Sequence, residues 1–162
     1  MHTVAVDASV LINFLLLNRV DILGAISGYR FVVADAVHKE ITRPDQQTLL
    51  SDAFDASLLQ KQKGADPSEL RIFADLTEVM GVGEAACLAT AEYRGWLLAS
   101  DERGLFLRIA RERIGEHRIL TTPEILLRAI RAGIITVEQA DEAKAYLEKN
   151  RFRMKFDSFA DL

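Results

Sequence analysis

Short pleat-favouring runs alternate with longer stretches of helical period along this chain, and that alternation narrows the fold more than any other feature. The runs are 3–7, Tyr29–Ala34, Trp96–Ser100 and Arg118–Thr121, rich in β-branched, aromatic or continuous apolar residues. Between them apolar side chains recur three and four residues apart, as at Leu49, Leu50, Ala53, Phe54 and Leu58, and at Leu70, Phe73, Leu76 and Met80. Parallel strands need helical crossovers, so the pattern predicts an α/β fold: a three-layer α/β/α sandwich around a mainly parallel sheet. At 162 residues the chain reads as a single domain, with 136–162 as a C-terminal helix and tail.

Punctuation residues set the expected boundaries. A helix runs from about Ala8 to Asn18, its pattern continues through Val20–Ile26, and Gly28 breaks it. Asp35 ends the second strand and caps the turn 36–41, while Pro44 opens a further helix. Gln60–Ser68 reads as loop, followed by a helix begun by Ser68 and Glu69. Gly95 closes the small-residue helix Ala85–Arg94, and Thr122-Pro123-Glu124 opens another with proline in its first turn. Helices over 104–113, 123–132 and 136–149 complete the chain.

Composition removes several classes. Nearly half the residues are hydrophobic, which excludes a disordered chain. The apolar run Val10–Leu17 is far shorter than the ~20 residues that span a bilayer and contains Asn13. No basic segment precedes that run, so no secretory signal is expected and a cytoplasmic setting is the default. The one cysteine, Cys87, forms no internal disulfide and sits in an Ala-rich pattern as a small core residue. A net charge of −4 argues against nucleic-acid binding through bulk positive field alone, though a local basic face beside an acidic pocket is compatible with it.

Four acids stand at element junctions: Asp7 after the first strand, Glu40 just after the second, Glu84 behind a Gly-Val-Gly turn and Asp101 after Ser100. In parallel strands these junctions share one rim of the sheet, where α/β proteins expose their chemistry. Two carboxylates ~4 Å apart repel by roughly 4 kcal/mol at an effective dielectric near 20. A cluster therefore either takes up protons or collects a divalent cation, and an all-oxygen set suits Mg²⁺ or Mn²⁺. Such a centre fits metal-assisted phosphodiester hydrolysis. The competing reading is plain helix capping, since acids favour helix N-termini, and spacing alone leaves both open.

Four segments carry a family resemblance. Asp7-Ala8-Ser9-Val10-Leu11-Ile12-Asn13 resembles the opening motif of PIN-domain nucleases, and Val37-His38-Lys39-Glu40-Ile41 is similar to their second acidic motif. Gly83-Glu84-Ala85-Ala86-Cys87-Leu88-Ala89 resembles the third, with Gly-Glu-Ala in place of the commoner aspartate, and Leu97–Gly104 resembles the fourth. Residues 126–135 are similar to the C-terminal helix of a VapC-like branch. The resemblance, spanning roughly 3–135, implies an Mg²⁺- or Mn²⁺-dependent endoribonuclease acting on RNA, often a toxin held by an antitoxin protein. It implies Asp7, Glu84 and Asp101 as metal ligands, with Glu40 completing the catalytic set and orienting the attacking water. Asp101 is preferred over its neighbour Glu102, and Ser9 and Ser100 either bond the acids or, for Ser9, cap the helix. A non-catalytic PIN-like module binding RNA or protein is the alternative.

Other residues keep two readings. His38, without a second histidine at ligand spacing, suits a surface or turn role better than a base. Arg103, Arg108, Arg111, Arg113 and Arg118 form either a solvated face paired with nearby glutamates or a grip on an RNA backbone. Leu11, Phe14, Leu15 and Leu16 exceed one core stripe, so a helix-mediated homodimer is expected. The tail Arg151–Phe156 mixes cations with aromatics and either binds RNA, packs on the domain or meets a partner.

Overall fold

A computed structural model describes residues 1–162. Its five strands, β1 (His2–Val6), β2 (Tyr29–Val33), β3 (Gln60–Lys61), β4 (Leu97–Ala99) and β5 (Ile119–Leu120), form one sheet in the order β3-β2-β1-β4-β5. Every pairing is parallel, and Val4 on the central strand stands between Phe31 and Leu97. Nine helices connect and cover the strands: α1 (Ala8–Leu16), α2 (Asp21–Ala25), α3 (Asp35–Glu40), α4 (Pro44–Asp55), α5 (Pro67–Leu76), α6 (Val82–Arg94), α7 (Gly104–Ile114), α8 (Thr122–Arg131) and α9 (Val137–Lys149). Val4, Ala5 and Val6 are all buried, which a strand shows only when helices cover both faces of its sheet. The three-layer α/β/α architecture expected from the alternation is what forms.

Local chemistry explains where the boundaries shifted. Asn18 takes a positive φ of 52° and separates α1 from α2, so the helical pattern of 8–26 is two helices rather than one. Helix α6 starts three residues before the expected Ala85, because Glu84 reaches back to the Gly81 N–H, one half of a capping box. Helix α5 starts at Pro67, with Asp66 as its cap and Glu69 completing the reciprocal bond. The expected loop 60–68 contains β3, which pairs with Val32 and Val33 at the edge of the sheet. Both of its residues are exposed, so it has no hydrophobic alternation from which to be read.

One contiguous cluster of buried apolar side chains, from Val4 to Phe159, fills the space between the layers. Leu11, Phe14 and Leu15 belong to it and are buried within this chain, whereas Leu16 is only half-buried. The C-terminal tail is also anchored there: Met154 and Phe159 are buried, and Phe156 meets the Phe159 ring edge-on at 4.9 Å. Asp141 of α9 accepts from the Ser158 hydroxyl at 2.7 Å and the Phe159 N–H at 2.8 Å. Of the three readings of 151–156, packing on the domain is what the structure shows. No helix is long and apolar enough to cross a membrane.

Candidate active site

The chain builds β1, β2 and β3 outward to one side, then crosses over to add β4 on the other flank of β1. That reversal opens a crevice at the carboxyl ends of β1 and β4, where open α/β sheets place ligands. Asp7 leaves β1 at this point and is 2 % exposed. It occupies the N-cap position of α1 yet makes no side-chain capping bond. Its Oδ2 instead accepts from two hydroxyls, Ser9 Oγ and Ser100 Oγ, each at 3.0 Å. Those serines in turn accept from the Asp101 N–H (3.0 Å) and the Glu102 N–H (3.1 Å), so the loop after β4 is laced to the carboxylate. Burial is the largest effect on Asp7 and raises its pKa, while the Ala8 and Ser9 backbone N–H groups also favour its charged form.

Glu40 approaches from the last turn of α3 and lies against the start of α6. A Cβ built on Gly83 would stand 2.3 Å from Glu40 Oε1, so only glycine leaves room for this carboxylate. The Gly83 N–H stabilises the charged form, but burial and the charges of Asp7 and Glu84 prevail and hold Glu40 above the usual carboxylate range. Glu84 is half-buried, and its Oε1 accepts from the Gly81 N–H at 3.2 Å. It therefore combines the capping role with a place at the acidic rim.

Asp101 and Glu102 diverge. Asp101 accepts from the Thr122 N–H at 2.8 Å, from the Thr122 hydroxyl and from Asn13 Nδ2 at 3.0 Å, binding the end of β4 to α8 and α1. Both of its oxygens are engaged. Burial raises its pKa, those bonds oppose the rise, and of the acids only Asp7 adds to it. Glu102 is exposed and accepts no hydrogen bond; burial raises its pKa, as do the charges of Asp7, Glu84, Asp101 and Glu40. Glu102 thus lies within electrostatic reach of all four acids, whereas Asp101 is hydrogen-bonded to α8 and feels Asp7 alone among them. Asn13 and Thr122 were not singled out in the sequence. The available signal was Asn13 itself, a lone amide in an apolar helix that needs a partner once buried.

The acids thus share one rim, although no three of them, with histidines and cysteine included, are posed as a ready-made ligand group. Beneath them Cys87 is buried and its thiol is pushed well up, by burial first and then by Asp7, Glu40 and Glu84. That thiol is a packing group whose Sγ donates to the Val6 carbonyl at 3.4 Å. His38 lies in α3, half-buried, and rests against Phe54 with ring centroids 5.6 Å apart. The basic stretch divides. Arg111 pairs with Glu116 and Arg113 with Glu92, each at 2.9 Å, and Arg118 donates to the Ala91 and Trp96 carbonyls. Arg103 and Arg108 have no acidic partner.

Comparison with known proteins returns a family model described as PIN domain, which matches residues 3–161. No curated protein matches the chain.

Proposed function

This chain belongs to the PIN-domain family, whose members are generally nucleases that use divalent metals, and from that premise we propose that it is a metal-dependent endoribonuclease. The observation that carries the reading is Asp7: a carboxylate braced by two serines at the sheet's switch point, with Glu40, Glu84 and Glu102 within electrostatic reach. The donor set fits Mg²⁺ or Mn²⁺ in chemistry, being all oxygen and carrying mutual repulsion that a hard dication relieves. Asp7 is fixed, whereas Glu40 and Glu102 are exposed and free to turn toward an ion. Asp7, Glu84 and Glu102 would hold it, and Asp101 acts by fixing the loop that carries Glu102.

A bound dication would stabilise charge on the phosphate under attack and make water a better nucleophile. Glu40, held partly protonatable by burial and its neighbours, orients the attacking water and accepts its proton as the water oxygen bonds to phosphorus and the ester P–O bond breaks. Ser9 and Ser100 keep Asp7 from rotating away. The test is cleavage of a labelled RNA with Mg²⁺ or Mn²⁺. Activity should vanish in EDTA and fall at least about a hundredfold in Asp7→Asn, in line with the several kcal/mol a metal centre contributes. Full activity in Asp7→Asn sinks the assignment.

A non-catalytic RNA- or protein-binding module is the second reading, favoured by the Glu84–Gly81 capping bond and by the absence of a ready ligand trio. It requires that no metal support cleavage and that Mn²⁺ leave thermal stability unchanged. The toxin role and an antitoxin partner belong to the proposal through the VapC-like similarity of 126–135, and a homodimer through the apolar face of α1, its oligomeric state being read by light scattering. Growth arrest on expression, relieved by the product of an adjacent reading frame, is the measurement for the first two.

A further inference from the structure

The acidic rim opens on one side into a cleft of about 520 Å³, walled by Ser100–Arg103, by α7 and by the C-terminal tail. Its charges are unevenly matched. Arg111 is held by Glu116, Glu124 is spent on the Thr121 N–H and Asp101 on Thr122 and Asn13. The side chains left over are Glu102 at the rim and three cations, Arg103, Arg153 and Lys155, all exposed and in no ion pair. Two half-buried rings, Phe152 and Phe156, lie on the same wall as Arg153 and Lys155. The tail is no loose end, since Asp141, Met154 and Phe159 hold it down, so these groups are presented in fixed places.

Unpaired cations interleaved with aromatic faces suit a polymer that alternates phosphate and base, and a cleft of this size takes one nucleotide-sized unit. A duplex, which presents its bases only through the edges lining its grooves, could not reach those rings. We propose that this cleft binds the single-stranded RNA flanking the bond to be cut, with Arg103, Arg153 and Lys155 on phosphates and Phe152 beneath a base. The inference rests on the endoribonuclease reading and supplies what the net charge of −4 leaves unexplained: a local cationic track beside an acidic centre. It also gives 151–156 a second role on top of packing.

The experiment is fluorescence anisotropy of the intact chain with a labelled oligoribonucleotide of about 12 residues, in EDTA so that no cleavage intervenes. The double variant Arg153→Ala/Lys155→Ala should bind about tenfold more weakly, and its log K against log salt should flatten by about 1.4, two cations at ~0.7 each. Arg103→Ala, on the opposite wall, should flatten the slope by about 0.7 and guards against a tail that merely detaches. Lys63→Ala, beside β3 at the far edge of the sheet, should keep wild-type affinity. Wild-type affinity and slope in the double variant overturn the proposal, as does a wild-type chain that does not bind, or an equal loss in Lys63→Ala. Cleavage without the binding defect removes the cleft and spares the nuclease; the binding defect without metal-dependent cleavage does the reverse.

Discussion

At the residue scale, adjacent acids have been given different work by their hydrogen bonds. Asp101 is tied by Thr122 and Asn13, and Glu102 accepts no hydrogen bond while feeling the charge of the other carboxylates. Glu102→Gln should therefore cut cleavage at least about tenfold while leaving the melting temperature nearly unchanged. Asp101→Ala should instead destabilise by about 1–3 kcal/mol, because it leaves the buried Thr122 N–H and hydroxyl without an acceptor and takes one of two partners from Asn13. Denaturant unfolding beside cleavage rates separates the two, and a reversal of the pattern would return the ligand role to Asp101. The sequence could not distinguish this pair: two neighbouring acids follow a strand end, and only distant Thr122 decides which is taken. Gly83 offers a second case. In Gly83→Ala the new methyl displaces the Glu40 carboxylate, which sits at the end of a flexible chain. The protein should keep or slightly raise its stability, alanine favouring helix over glycine by up to about 1 kcal/mol, yet lose activity. Activity intact in a folded Gly83→Ala would remove Glu40 from the reaction.

At the scale of elements, what could be read was what hydrophobic periodicity encodes. The four strands expected near 3, 29, 96 and 118 all form, because each contributes buried apolar residues. β3 escaped because two exposed edge residues pair through backbone alone, leaving no side-chain trace. Helix starts moved where a capping box, not an apolar stripe, sets the boundary, as at Asp66–Glu69 and Gly81–Glu84. The tail was legible only as an odd mixture of residues; its placement depends on Asp141, just over a turn inside α9. Asp141→Ala should free 150–162, and trypsin should then cut faster after Arg151, Arg153 and Lys155 without loss of the rest of the fold. The bonds from Phe159 and Ser158 hold the Asp141 carboxyl below its ordinary 3.8. With a depressed folded pKa, its contribution is present above 3.8 and disappears as pH falls through the lower folded value. Unchanged trypsin rates in Asp141→Ala would mean that Met154 and Phe159 hold the tail unaided.

At the scale of the whole molecule, the fold brings four chain segments to one rim and leaves their charges uncompensated, which makes stability depend on pH and on cations together. Asp7, Glu40 and Glu102 all have carboxyl pKa values raised above 3.8 for the aspartate and 4.5 for the glutamates, burial being the first cause in each. A raised folded pKa means that the folded chain holds protons more tightly than the unfolded one. Stability from these groups is then fully present below the ordinary values and is lost as pH rises through the elevated ones. A dication offers the same relief in the range where protons have left. Saturating Mn²⁺, at about a hundred times its dissociation constant, should stabilise by about 2.7 kcal/mol, or about 5–10 °C in melting temperature for a chain of this size. The gain should be largest near neutral pH and shrink toward pH 4–5 as protons reoccupy the carboxylates. Thermal melts with Mn²⁺ and with EDTA at several pH values read this directly. Equal shifts at every pH would place the ion elsewhere on the surface, and no shift at neutral pH would leave the rim as an acidic patch without a metal.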